Sequence, residues 1–349
     1  LRRSEAAWDY TDEKRREFAR QFVTEINDTN EPQWRARILK FSETRSDDLA
    51  MFPVYYDFLE LLGQRRPRLA IELLTAHEET MGPFQIALMA GLWVGAQSDE
   101  VAAIAQRWIA AGTHLIALAK SLIKGGERRL GMLSALIGKG SALNNHDVIV
   151  HAMGTAARLH GAGVVAAKGV FMHGLRELAK RRNAEWARAV WFNRDFKTLI
   201  ASMDADELAE VLSSLTSLRK LDYQAEAVLA AVCAHDNVSV LNFLVGRLKQ
   251  EADERSPGRE ADMFEEDAFE AIPVHLHQLN KLLAKEPRAL VKALREGFDD
   301  EARSMFPYRG DARLLKAVFP NFADPLPVLL QELIAGPDPT DIDFSLSVL

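Results

Sequence analysis

DADELAEVLSSLTSLRKL, residues 204–221, decides the fold class. Asp204 stands as an N-cap with Glu207 three residues on, the spacing of a capping box. Leu208, Val211, Leu212, Leu215 and Leu218 then recur at the spacing that lines one face of an amphipathic helix. The same grammar repeats along the chain. In SDEVAAIAQRWIAAG (98–112), Ser98 precedes a stripe of Val101, Ile104, Ala105, Trp108 and Ile109. In NVSVLNFLVGRLKQ (237–250), Asn237 is the expected cap of a stripe of Leu241, Leu244, Val245 and Leu248. Further helices are expected near 11–27, 32–45, 54–62, 67–79, 113–123, 144–160, 164–182, 287–297 and 324–335. Two-residue alternation and Asn-Gly or Asp-Gly hairpin turns are almost absent, so the expected fold class is all-α.

About sixteen to twenty short helices, alternately amphipathic and apolar, do not suit a single bundle of long helices. They suit an α-solenoid of stacked helical hairpins, in which each pair buries its face against its neighbours. RPRLAIELL (66–74) and EPRALVKAL (286–294) share Pro-Arg followed by apolar residues, with a looser echo in ADPLPVLLQEL (323–333). The repeat is too degenerate to separate tetratricopeptide-like from HEAT-like pairs.

The chain has 349 residues, 48% hydrophobic and 27% charged, enough for a large core or for two or three domains. The lone Cys233 lies in an apolar helical run, cannot form an internal disulfide and suits a reducing cytoplasm. The apolar stretch 81–96 contains Gln85 and three glycines and is shorter than the roughly 20 residues needed to span a bilayer, so no membrane is expected. The first residue is Leu1 rather than methionine, which suggests a piece of a longer polypeptide.

Catalytic and cofactor motifs fail one by one. EAIPVHLHQLNKLL (270–283) holds His275 and His277 one residue apart. Pro273 marks a helix start, with Ile272, His275, Leu276, Leu279 and Leu283 on one face. On that helix the two imidazoles point roughly 200° apart, so His275 reads as a core-edge residue and no metal is expected. Gly161, Gly163 and Ala166 match G-x-G-x-x-A, but a helix precedes them where a dinucleotide site needs a strand. Gly138-Lys139 lacks the remaining residues of a phosphate loop, and His77-Glu78 is followed by Met81 where a zincin needs histidine. There is no G-x-S-x-G and no C-x-x-C. Acidic pairs such as Asp47-Asp48 and Asp299-Asp300 suit loops and caps. No cofactor is implied.

Charge is the most informative remaining feature. Residues 111–194 hold thirteen lysines and arginines against four acids, a net of +9 in a chain of −7. Within them KRRNAEWARAVWFNR (180–194) interleaves Arg181, Arg182, Arg188 and Arg194 with Trp186 and Trp191. Arginine beside tryptophan can grip phosphates and stack bases. On a helix from about Asn183, Arg188 shares a side with Trp191, and Arg181 and Arg182 reach in from the preceding helix end. Arg181, Arg182, Arg188, Trp191 and Arg194 are therefore the candidate binding residues. The competing expectation is buried tryptophans and arginines neutralised by neighbouring acids.

EADERSPGREADMFEEDAFE (251–270) carries nine acids and two arginines and reads as an acidic linker or long loop. It separates a helical block of 1–250 from one of 271–349. The second block, EAIPVHLHQLNKLLAKEPRALVKALREGF (270–298) and RLLKAVFPNFADPLPVLLQEL (313–333), resembles in texture the C-terminal helical-repeat sensor regions of bacterial STAND-type NTPases and related antiphage-defence proteins. That resemblance implies a solenoid that recognises a protein or nucleic-acid ligand and controls an effector elsewhere in the polypeptide. The NTPase motifs have no match, so no catalytic residue is carried over. The expected function is thus a non-catalytic, cytoplasmic interaction or sensor module, with a protein ligand or effector domain as first partner. The alternatives are a nucleic-acid-binding repeat protein using 111–194, and an enzyme with a site on the concave face.

Overall fold

The computed structural model describes residues 5–43, 52–95, 98–190, 194–254, 269–297, 310–320 and 325–348. Among them every regular element is a helix and no strand occurs. The chain divides into two compact units, 1–174 and 175–349.

The first unit holds α1 (Glu5–Glu25), α2 (Glu31–Ser42), α3 (Pro53–Arg65), α4 (Pro67–Ala76), α5 (Glu78–Met81), α6 (Gln85–Val94), α7 (Ser98–Ala111), α8 (Leu115–Ser121), α9 (Leu130–Ala142), α10 (His146–Gly161) and most of α11 (Ala167–Ala179). Pro53 and Pro67 open their helices, where a missing N–H costs nothing. Helix α6 is apolar all round, buried from Ala87 to Trp93, and packs on α3, α4, α7 and α8. Glycines set the α3–α6 crossing. A Cβ on Gly91 would lie 1.9 Å from the Glu60 carbonyl oxygen, and one on Gly63 would lie 2.6 Å from that of Leu88. An aromatic cluster ties α2 to α3, with Phe41 and Tyr55 rings 4.4 Å apart. The Tyr55 hydroxyl donates to the Ile38 carbonyl oxygen at 3.1 Å, and burial pushes its pKa up to about 12.

The second unit continues with α12 (Trp186–Val190), α13 (Arg194–Ala201), α14 (Ala205–Ser214), α15 (Tyr223–Cys233), α16 (Asn237–Glu254), α17 (Asn280–Leu283), α18 (Pro287–Gly297), α19 (Gly310–Val318), α20 (Leu326–Ile334) and α21 (Pro339–Val348). The capping box of α14 forms as its sequence requires: Glu207 N donates to Asp204 Oδ1 at 2.9 Å, and Asp204 N to Glu207 Oε2 at 3.0 Å. Leu208, Val211, Leu212 and Leu215 are buried. The cap of α16 is Asp236 rather than Asn237, since Asp236 Oδ1 accepts from Ser239 N at 2.9 Å. Helix α16 packs against α14, α15, α18 and α19 and is the axis of this unit.

Two expectations change. No helix begins at Pro273: residues 269–279 are irregular, and helix resumes only at Asn280. Ile272, Leu276, Leu279 and Leu283 are buried as expected, but His275 and His277 are both exposed, so His275 is not a core-edge residue. The angular argument against a shared metal ion therefore lapses with its helix. The acidic stretch 251–270 falls inside the second unit, and its first four residues belong to α16. Helices α16 and α18, on either side of it in the chain, pack together, while residues 255–268 lie outside the described residues. The Gly161–Gly163 turn links two helices, with Gly163 at φ 96°.

Candidate functional site

The arginines singled out by the sequence are dispersed. Arg181 follows the end of α11 and is half-buried. Its Nη1 donates to the Glu177 carbonyl oxygen at 2.6 Å and to the Glu177 carboxylate at 3.2 Å. Arg182 is exposed in the turn beyond, at φ 51°. Trp186 is fully buried against Phe196, ring centroids 6.1 Å apart, so it belongs to the core. Arg188 is two-thirds exposed on α12 and bonds to Asp222 at 3.1 Å. Trp191 lies outside the described residues. Arg194 opens α13, but its side chain lies outside them too. Neighbouring cations are also engaged: Arg176 makes two bonds to Glu210, at 2.7 and 2.9 Å, and Lys180 meets Glu177 at 2.5 Å. Partial neutralisation by acids is thus the arrangement observed at Arg176, Lys180, Arg181 and Arg188. Arg176 holds the Glu210 carboxyl below its ordinary pKa, first through their hydrogen bond.

The polar geometry is concentrated elsewhere, under residues 269–279. This irregular strap lies on α15 and α16, its backbone satisfied by buried charged side chains rather than by a helical ladder. Arg247, 2% exposed on α16, donates from Nε to the Ala271 carbonyl oxygen at 2.8 Å. It also reaches the Leu218 carbonyl at 2.7 Å and the Glu270 carbonyl at 2.7 Å. Its guanidinium sits 4.5 Å from the Phe269 ring centroid. Burial lowers the Arg247 pKa to about 10, still far above neutrality, so the cation persists. Glu226, 2% exposed on α15, accepts from Gln278 N at 2.5 Å and Leu279 N at 2.8 Å, capping α17 from another helix. Glu251, one turn beyond Arg247, is buried and takes two bonds from Arg313 of α19, at 2.8 and 2.7 Å. Arg313 also donates to the Ile272 carbonyl and lies 3.5 Å from the Glu270 carboxylate.

Such burial is costly unless every partner is in place, and here the charges are matched to carbonyls, amides and one another. The strap is consequently fixed from beneath while its outer face stays in solvent. Val274 is 66% exposed, His275 and His277 are exposed, and the His277 ring lies 6.0 Å from that of Tyr223, itself 47% exposed at the start of α15. Asp222, adjacent to Tyr223, caps α15 through Ala225 N at 2.9 Å and holds Arg188. His277 and one predicted arginine thus lie beside the start of α15, His277 against Tyr223 and Arg188 against Asp222.

Arg247, Glu251 and Glu226 were not singled out from sequence, though a signal existed. Val240, Leu244, Arg247 and Glu251 follow helical spacing, so the last two are charges on an apolar stripe. Glu226 stands in the same relation to Leu229 and Cys233. Cys233 itself is buried, its thiol pushed up to about 11 by desolvation, which suits a packing role. Among the described residues no helix is long and apolar enough to cross a membrane. No protein-family model matches this chain, nor does any curated protein or solved structure.

Proposed function

We propose that the chain is a non-catalytic interaction module of stacked helical hairpins that takes a protein ligand on the strap surface of its second unit. The carrying observation is the mounting of the strap. Fixing a backbone costs about 1–2 kcal/mol per residue, and here five charged side chains from α15, α16, the strap and α19 hold eleven irregular residues in place. A rigid scaffold presenting a pre-formed loop is the usual architecture of a binding surface. Tyrosine and arginine on that surface are residue types that dominate interface energetics. The resemblance of 270–298 and 313–333 to sensor regions supports the same role, and the lone buried Cys233 suits a cytoplasmic setting. The nucleic-acid alternative has weaker support, since Arg176, Lys180, Arg181 and Arg188 each engage a carboxylate.

The test is site-specific photo-crosslinking in the native cell. A photoreactive residue at Val274 should give a discrete protein adduct. The same residue at Val165 of the first unit, 72% exposed, should not. Identical adduct patterns at the two positions, or none at Val274, would remove the strap surface as the binding site.

A further inference from the structure

We infer that the strap and α19 open and close as one element, so that the docking of α19 controls the surface the strap presents. This inference rests on the reading of the strap as a binding surface and adds a means of regulating it. The contacts form a closed circuit. At its far end the strap runs into α17, and Glu226 holds the Gln278 and Leu279 amides at that junction. Helix α17 packs on α19. From α19, Arg313 returns to the near end of the strap, where it donates to the Ile272 carbonyl oxygen and lies 3.5 Å from the Glu270 carboxylate. No member of this circuit is built to stand alone. Residues 269–279 are irregular, α17 has four residues and α19 nine, whereas isolated helices shorter than about 12–15 residues are marginal in water. Helix α19 is held by the burial of Leu314, Leu315 and Val318 and by the two bonds from Arg313 to Glu251 of α16. Undocking α19 therefore takes Arg313 from the strap and apolar cover from α17 in one step. Helices α15 and α16 also pack on each other and on α12, α13 and α14, so they can stay folded while the circuit opens.

The test is amide hydrogen exchange of the full chain, read at Gln278 and Leu279 for the strap, at Leu314 to Val318 for α19, and along α15 and α16 as the reference. Arg313→Ala should speed exchange roughly tenfold or more at Gln278 and Leu279, although Glu226 still holds them, and by the same factor in α19. Glu226→Ala should speed α19 as much as it speeds the strap, although Glu226 caps α17 rather than α19. The reference helices should stay protected in both variants. If only the segment next to each substitution speeds up, the strap and α19 are held independently and the inference fails. Should Arg313→Ala expose α15 and α16 as well, Arg313→Lys keeps the charge without the fork and should raise strap and α19 exchange by one smaller factor; unequal factors, or renewed loss of the reference, would overturn the coupling. Arg313→Ala should also lower the yield of the Val274 adduct, and an undiminished yield would show that α19 does not control the surface. Equal factors with no Val274 adduct in the native chain would retain the coupling and remove the binding reading; an adduct with unequal factors would do the reverse.

Discussion

Arg247 of α16 donates to the carbonyl oxygen of Ala271, 2.8 Å away and 24 residues later in the chain. This bond joins the central helix of the second unit to a segment with no regular structure of its own. The same guanidinium serves Leu218 and Glu270, so one side chain ties together the turn before α15 and the start of the strap.

Removing that side chain orphans several buried carbonyls at once. Arg247→Ala should destabilise the chain by about 3–5 kcal/mol, read from the urea midpoint. Arg247→Lys should recover only part of the loss, because an ammonium group cannot fork to carbonyls in fixed directions. A change below about 1 kcal/mol for the alanine variant would show the network to be ornamental.

Two glycines in the first unit should respond in opposite directions. At Gly91 the added methyl meets the Glu60 backbone at 1.9 Å, which cannot yield without parting α3 from α6. Gly91→Ala should cost about 2 kcal/mol or more. Gly138 is exposed on α9, and a methyl added there would meet nothing within 4 Å, so alanine should gain about 0.4–1 kcal/mol. Thermal midpoints that move together would contradict the close crossing.

The adjacent arginines 181 and 182 should also separate. Arg181→Glu sets a carboxylate against Glu177 and should lower the thermal midpoint. At φ 51°, Arg182→Gly relieves a left-handed backbone and should leave the midpoint unchanged or raise it. Equal effects of the two changes would mean that their surroundings do not differ as described.

Where local spacing determines structure, the sequence was legible. The capping box of α14 and the stripe from Leu208 to Leu215 appear as read, as does the α7 stripe through Trp108, because each depends on residues three or four positions apart; Leu218, read on the same stripe, lies beyond the helix in extended backbone and is only half-buried. The strap was illegible for the opposite reason. Ile272, Leu276, Leu279 and Leu283 keep helical spacing and are buried, yet the strap's backbone bonds to distant side chains: Ala271 O to Arg247, Leu279 N to Glu226, and Ile272 O to Arg313, 41 residues on. Distant charged partners outcompete a local ladder, and periodicity carries no trace of them. At the candidate site, Arg188 was named from its basic surroundings. Tyr223 and Val274 were missed, because nothing local marks an exposed ring or valine as part of a surface.

Acid should weaken the cap of α16. Hydrogen bonds from Ser239 hold the Asp236 carboxyl below its ordinary value of 3.8. Its contribution is therefore present above that unfolded value and disappears as pH falls through the depressed folded value. Asp236→Asn keeps an acceptor but cannot titrate, so its stability below about pH 4 should fall less steeply than that of the wild type. Parallel pH profiles would show that Asp236 does not contribute to acid unfolding.

Hydrogen exchange at the Gln278 and Leu279 amides tests the account most directly, because a pre-formed strap requires both to be held by Glu226. Exchange in the native chain should be slow at these two positions, comparable to α15 and α16, and should become fast in Glu226→Ala while the helices stay protected. Rapid exchange of both amides in the native chain would mean that the strap is not fixed, and its outer face would not be a pre-formed binding surface.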